Sequence, residues 1–136
     1  MSDTSPAGDP GIEPTVARVG GISYLGMPAQ DPSRSAEFYS AVFGWEIRGT
    51  PDRPSFSDGT GHVIGHWRTD LPAAGEAGIR PYIYVTRIHD ALSKAAEHGA
   101  EVVTPPYPEG SLTIATVRDP AGNVIGIWQG PQGESA

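Results

Sequence analysis

The sequence predicts an α+β fold of two βαβββ modules carried on one chain, on three observations. First, a ten-residue string, Asp58-Gly-Thr-Gly-His-Val-Ile-Gly-His-Trp67, returns as Asp119-Pro-Ala-Gly-Asn-Val-Ile-Gly-Ile-Trp128, with six of ten residues identical. Self-similarity at a fixed offset marks a chain built from copies of one unit. Second, each half opens on a strand-like run, passes into a helical stripe and returns to strand candidates. Third, each helical stripe closes on a glycine, Gly44 and Gly99.

In the first half, Gly21-Ile-Ser-Tyr-Leu-Gly-Met27 is the opening strand candidate. Asp31-Pro32 starts a helix, because an Asp side chain accepts from free amides at the N-cap and Pro is tolerated at the first helical position. Ala36, Phe38, Tyr39, Val42 and Phe43 then recur at helical spacing. Gly44 is a natural stop, since glycine takes the left-handed conformation without a steric penalty. Trp45-Glu-Ile47 begins the next strand. In the second half, Pro81-Tyr-Ile-Tyr-Val-Thr86 is β-branched and aromatic. Ile88, Ala91, Leu92, Ala95 and Ala96 form the second helical stripe, and Glu101-Val-Val-Thr104 resumes the sheet. Leu112-Thr-Ile-Ala-Thr-Val117 and Val124-Ile-Gly-Ile-Trp128 complete it. The expected boundaries are a loose tail at 1–17, module one at 18–70, a linker at 71–78, module two at 79–129 and a second tail at 130–136. A half of this size buries too little surface to stand alone, so the two must pair.

Composition narrows the function classes. At 136 residues the chain is one domain, and with no cysteine it has no disulfide, thiolate metal site or cysteine nucleophile. Nine basic and sixteen acidic residues give a net charge of −7. Such a surface repels phosphate backbones and anionic lipids, so neither nucleic acid nor membrane is an expected partner. No apolar run approaches a membrane span. The N-terminus lacks the basic and apolar regions of a signal peptide, so a cytoplasmic location is expected. No Ser sits in a G-x-S-x-G elbow, and the glycines form neither a P-loop nor a dinucleotide fingerprint.

Asp31-Pro-Ser-Arg-Ser-Ala-Glu-Phe-Tyr39, with Phe43-Gly-Trp45 after it, resembles the first helix of the glyoxalase/bleomycin-resistance/extradiol-dioxygenase superfamily, the vicinal oxygen chelate proteins. Asp119-Pro-Ala-Gly-Asn123 resembles the turn before that family's final strand. The likeness covers roughly residues 19 to 129 and points to a glyoxalase-related branch. It implies a curved mixed sheet with a concave ligand-binding face and helices outside. It leaves the activity open, because the family includes isomerases, dioxygenases, epimerases, thiol transferases and proteins that only bind an antibiotic. In metal-dependent members, each module sends ligands from its first and last strands to the concave face. Those positions fall on Tyr24, Gly65, Arg80 and Gly126, and the usual His and Glu are absent at all four. Glycine has no side chain and arginine does not deprotonate, so no metal cofactor is expected and the metal set is empty.

The four histidines do not rebuild a metal site. His62 and His66 lie on an expected strand, where four residues span about 13 Å at roughly 3.3 Å each, too far for one ion. By alternation, His66 points opposite to Gly65 and Trp67, towards the helix if the family geometry holds. His89 and His98 flank the second helix as polar-face residues. Asp58 and Asp119 occupy matching turns, where an Asp usually serves backbone hydrogen bonds.

Strand alternation then places Ile22, Tyr24, Val63, Gly65, Trp67, Arg80, Tyr82, Tyr84, Val124, Gly126 and Trp128 on the concave face. The expected ligand-binding set is Tyr24, Gly65, Trp67, Arg80, Tyr82, Tyr84, Gly126 and Trp128. Aromatic walls with few polar handles suit a planar or apolar small molecule, and Arg80 suits an anionic group on it. The expectation is a metal-free binding protein, homodimeric, with a small-molecule partner. The alternative is an enzyme of the same superfamily, of lyase, isomerase or oxygenase type: metal-free with Tyr24, Tyr82 or Asp119 as acid or base, or dependent on a divalent metal if the ligand positions are misaligned. A third reading has the aromatics buried between subunits in an interaction module.

Overall fold

The computed structural model describes residues 13–131, and within them the element order is two copies of βαβββ. Module one comprises β1 (Tyr24–Pro28), α1 (Pro32–Phe43), β2 (Glu46–Thr50), β3 (Arg53–Ser57) and β4 (Ile64–Arg68). Module two comprises β5 (Tyr82–Tyr84), α2 (Ile88–Glu97), β6 (Glu101–Glu109), β7 (Leu112–Arg118) and β8 (Val124–Gln129). The α+β class and the two-module plan are therefore those the sequence predicts. The sheet is divided into two four-stranded mixed sheets, ordered β1-β4-β3-β2 and β5-β8-β7-β6. In each, the first strand runs parallel to the last and the other pairs are antiparallel.

Local chemistry accounts for the helix ends. Asp31 caps α1 by accepting from the Arg34 amide at 3.3 Å, and Pro32 follows at the first turn. Gly44 ends α1 with φ of 74°, and its N–H returns to the Ser40 carbonyl at 3.0 Å. Helix α2 begins after Arg87, which offers no side-chain cap. Gln129, buried at the end of β8, supplies it instead: its Oε1 accepts from the Ile88 amide at 2.6 Å. A free amide at a helix start is thus satisfied from 41 residues away. In the edge strand β6 the pairing shifts on either side of Thr104, and Pro105 and Pro106 fall inside the second shift. Proline has no amide to donate, so it is tolerated at an edge.

The core lies on the helix side of both sheets. In module one it is an aromatic stack: Tyr39 on Trp45 at 4.5 Å, Trp45 on Phe56 at 4.7 Å and Phe56 against Trp67 at 4.8 Å between ring centroids. In module two, Ile88, Ala91, Leu92 and Ala95 of α2 belong to the same buried cluster as Ala115, Val117, Ile125 and Ile127 of the sheet. Among the described residues, the halves meet through α1 and α2 and through two side-chain hydrogen bonds. The Tyr39 hydroxyl donates to Asp119 Oδ2 at 2.6 Å, and Asn123 Nδ2 donates to the Pro28 carbonyl at 2.7 Å. Among the described residues, no strand of one sheet pairs with a strand of the other. Each sheet consequently keeps an open face on the side away from its helix.

Most of the expected tails, 1–12 and 132–136, lies outside the described residues. Residues 13–17 form a turn rather than loose chain, with Val16 buried. Among the described residues no helix is long and apolar enough to cross a membrane.

Candidate functional site

On the second sheet, Tyr82 sits level with Gly126 and Tyr84 level with Trp128, so these four residues share the open face. The antiparallel neighbour adds Thr116 and Ile114 at the same levels. Tyr84 meets Trp128 edge to face, with ring centroids 4.9 Å apart, and Tyr107 pairs with Ile114 beyond it. Tyr82 and Tyr84 remain 48% and 54% exposed, so this aromatic patch is covered by nothing in the described chain. Gly126 is not an empty space in the floor. A side chain there would collide with the Tyr82 ring, which lies across it. Arg80 stands just before β5 and is tied to the linker, its Nη2 donating to the Glu76 carbonyl at 3.0 Å.

The first sheet departs from the expected arrangement. Gly65 and Trp67 face the core: Trp67 is 5% exposed, and a Cβ on Gly65 would strike the Leu25 carbonyl and the Phe56 ring. His66 faces outward with Tyr24. The reason is one extra residue in the preceding turn. The Asp58 amide closes its turn on the Val63 carbonyl at 2.8 Å, whereas the Asp119 amide closes on Asn123 at 2.8 Å. Four residues lie inside the first turn and three inside the second. Both aspartates organise their turns in the same way: Asp58 Oδ1 accepts from the Thr60 and Gly61 amides, and Asp119 Oδ1 from those of Ala121 and Asn123. The extra residue slips β4 by one position. A one-residue slip moves every side chain to the opposite face. His66, not Gly65, therefore matches Gly126, and Arg68, not Trp67, matches Trp128.

The first open face is accordingly polar. The Tyr24 hydroxyl lies 2.7 Å from His66 Nδ1, and Ser55 pairs level with His66. Beside them is a cavity of about 710 Å³, whose walls include Arg53, Arg68, Asp52 and Asp70. Arg68 grips Asp70 through two hydrogen bonds, 3.1 and 2.8 Å. The Arg68 hydrogen bond holds the exposed Asp70 carboxyl below the usual carboxylate range. A second hollow of about 500 Å³ lies on the helix side between α2 and β5, rimmed by Asp90, Lys94 and Glu97, and shares only Tyr84 with the aromatic patch.

Of the expected acid–base candidates, Tyr24 and Tyr82 reach an open face, while Asp119 is 3% exposed and saturated with hydrogen bonds. Its role in this structure is to hold a turn and join the halves. The residues at the family's ligand positions do not fit a divalent ion. In the observed register these positions are Tyr24, His66, Arg80 and Gly126: His66 alone is an ordinary metal ligand and its Nδ1 is held by the Tyr24 hydroxyl, Gly126 lies under Tyr82 and Arg80 is cationic. Among the described residues no three His, Cys, Asp or Glu side chains cluster about one point.

Comparison with known proteins agrees with this geometry. The profile of the Glyoxalase/Bleomycin resistance protein/Dioxygenase superfamily matches residues 21–127, and the chain belongs to that superfamily. Among solved structures, a family enzyme from Burkholderia phytofirmans is similar with a TM-score of 0.66 at 18% identity, covering 79% of this chain and 96% of the other. TioX from a Micromonospora species has a TM-score of 0.60 at 22% identity, covering 82% and 99%. The fosfomycin resistance protein FosX from Mesorhizobium loti has a TM-score of 0.64 at 15% identity, covering 86% and 98%. Likeness at these identities speaks for the fold alone. No curated protein matches the sequence significantly.

His66 and Arg68 are the functional candidates that alignment of the repeat missed. The signal was present within β4 itself, in Ile64-Gly-His-Trp-Arg68, where the two polar residues alternate with Gly65 and Trp67. A strand with one buried face sends its polar set outward.

Proposed function

We propose that this protein binds a planar or apolar small molecule against the aromatic face of its second sheet, without a metal, and works as a homodimer. One observation carries the reading: Tyr82, Tyr84 and Trp128 form an uncovered aromatic patch on a regular sheet face. Exposed apolar patches of this kind mark binding or association surfaces. Aromatic side chains offer large, stiff contact areas for flat ligands. The homodimer is supported by exposure near the first sheet as well, where Tyr24 of β1 at 54% and Ile22 just before it at 72% also lack cover. A second copy of the chain would shield both faces and enclose the ligand. If the ligand is an antibiotic, such binding sequesters it.

The test uses 8-anilinonaphthalene-1-sulfonate as a flat aromatic probe. Saturable quenching of tryptophan emission that disappears in Trp128→Phe supports the reading; quenching unaltered by that substitution refutes it. Sedimentation velocity across a dilution series tests the dimer.

A second reading, an enzyme of lyase or isomerase type, is favoured by the Tyr24–His66 contact. Turnover abolished by Tyr24→Phe, with probe binding retained, would support it.

A further inference from the structure

We propose that Tyr24 and His66 form a proton relay that binds a phenolic or enolic hydroxyl compound as its anion, in the cavity on the first sheet. This site lies on the sheet opposite in sequence to the aromatic patch, and the inference stands or falls independently of binding there.

The arrangement begins with strand pairing. Tyr24 on β1 sits level with Ile64 of β4, and His66 sits level with Gly26. Gly26 puts no side chain opposite His66, and the Tyr24 ring leans along the strand until its hydroxyl is 2.7 Å from His66 Nδ1. The ring centroids are 5.7 Å apart and tilted by 59°, so the contact is a directed hydrogen bond rather than a stack. Both residues line the cavity of about 710 Å³.

A phenol that donates to an imidazole keeps a lone pair free for another donor. A ligand hydroxyl in the cavity can therefore donate to the Tyr24 oxygen. When it ionises, the ligand O–H bond breaks, Tyr24 takes that proton, and the original Tyr24 proton passes to His66 Nδ1. The ligand becomes an oxyanion, Tyr24 is again a neutral phenol and His66 is an imidazolium, so no proton leaves the complex.

The charged surroundings favour this ion pair over its parts. Facing the pair are Arg53 and Ser55 of β3, Arg68 of β4, Asp70 just beyond it and Asp52 in the turn before β3. Arg68 is committed to Asp70. Among the described residues, Arg53 has no carboxylate within ion-pair distance. Its guanidinium is the group available to an oxyanion, for which its planar fork is well suited. Among the described residues Asp52 has no ion-pair partner, and it is the carboxylate left to balance the imidazolium. The site asks for a compact planar molecule with one weakly acidic hydroxyl.

The probe is 4-hydroxyacetophenone, whose ultraviolet absorption moves to longer wavelength on ionisation and which is mostly neutral in free solution at pH 7. Titration with the full-length protein should raise the ratio of ionised to neutral bound probe about tenfold, equivalent to one pKa unit. Calorimetry in two buffers of different ionisation enthalpy should show no net proton released. Tyr24→Phe and His66→Gln change surface-facing side chains, so both variants should fold. Each should return the bound probe to its neutral spectrum, or leave it ionised only with release of a proton to buffer. A wild-type probe that stays neutral, ionises with proton release or does not bind overturns the proposal, as does retention of the shifted spectrum without proton release in either variant.

Discussion

The Tyr39 hydroxyl donates to Asp119 Oδ2 at 2.6 Å, in the buried seam where helix α1 of one module meets the closing turn of the other. Asp119 thereby serves two purposes, since its second oxygen organises its own turn through the Ala121 and Asn123 amides. Tyr39→Phe should lower stability by about 1–2 kcal/mol, the scale of one buried hydrogen bond. Asp119→Ala should cost more, about 3 kcal/mol, because it strands the phenol and two amides together. Urea denaturation followed by circular dichroism would rank the two, and an equal effect would contradict the shared role.

The same contact gives stability a pH dependence at the alkaline end. Burial, and then the neighbouring Asp119 charge and hydrogen bond, raise the Tyr39 pKa well above the usual phenol value. The folded protein therefore holds this proton more tightly than the unfolded chain. Its contribution is complete below the unfolded pKa, near 10, and declines as pH rises above it. Unfolding midpoints measured between pH 8 and about 11 should fall more steeply in the wild type than in Tyr39→Phe.

Gly65 and Gly126 should respond differently to alanine, although they are equivalent in the repeat. At Gly65 the added methyl meets the Leu25 backbone and the buried Phe56 ring, neither of which can withdraw. Gly65→Ala should cost about 3 kcal/mol, at the upper end for overpacking. At Gly126 the obstacle is the half-exposed Tyr82 ring, which can swing into solvent. Gly126→Ala should cost about 1 kcal/mol, while weakening the tryptophan response to the aromatic probe. Comparable losses of stability at both sites would overturn this distinction.

The two repeat tryptophans should separate folding from binding. Trp67 is enclosed among Tyr39 and Phe56, whereas Trp128 stands against Tyr84 on the open face. Trp67→Phe should destabilise by about 1–3 kcal/mol and leave the probe response in place. Trp128→Phe should do the reverse. Thermal melts and fluorescence titrations on the same two variants decide the matter.

The module plan was legible because each element carries its own physical signature. The Asp31-Pro32 start, the Phe38–Tyr39 stripe and the Ile125–Ile127 alternation all follow from local rules that the tertiary structure respects. Strand β3 was less so, as Arg-Pro-Ser-Phe-Ser offers few strand-favouring residues and is drawn in by its neighbours. Half of the candidate site was misread for a different reason. Reading the two copies of Val-Ile-Gly in register turns Trp67 outward and His66 inward, whereas the polar alternation of β4 gives the observed opposite. The capping of α2 by Gln129 has no local signature, because it depends on which strand end lies next to which helix start.

The longer Asp58 turn shows how little sequence change separates a module's interior from its working surface. Its closure falls one residue later along a peptide of the same length, so one inherited string sends its indole inside in the first copy and leaves it outside in the second. A change in where a loop closes can thus replace the chemistry of an entire strand face with no insertion at all. For a duplicated gene this is a short path to two dissimilar surfaces on one scaffold.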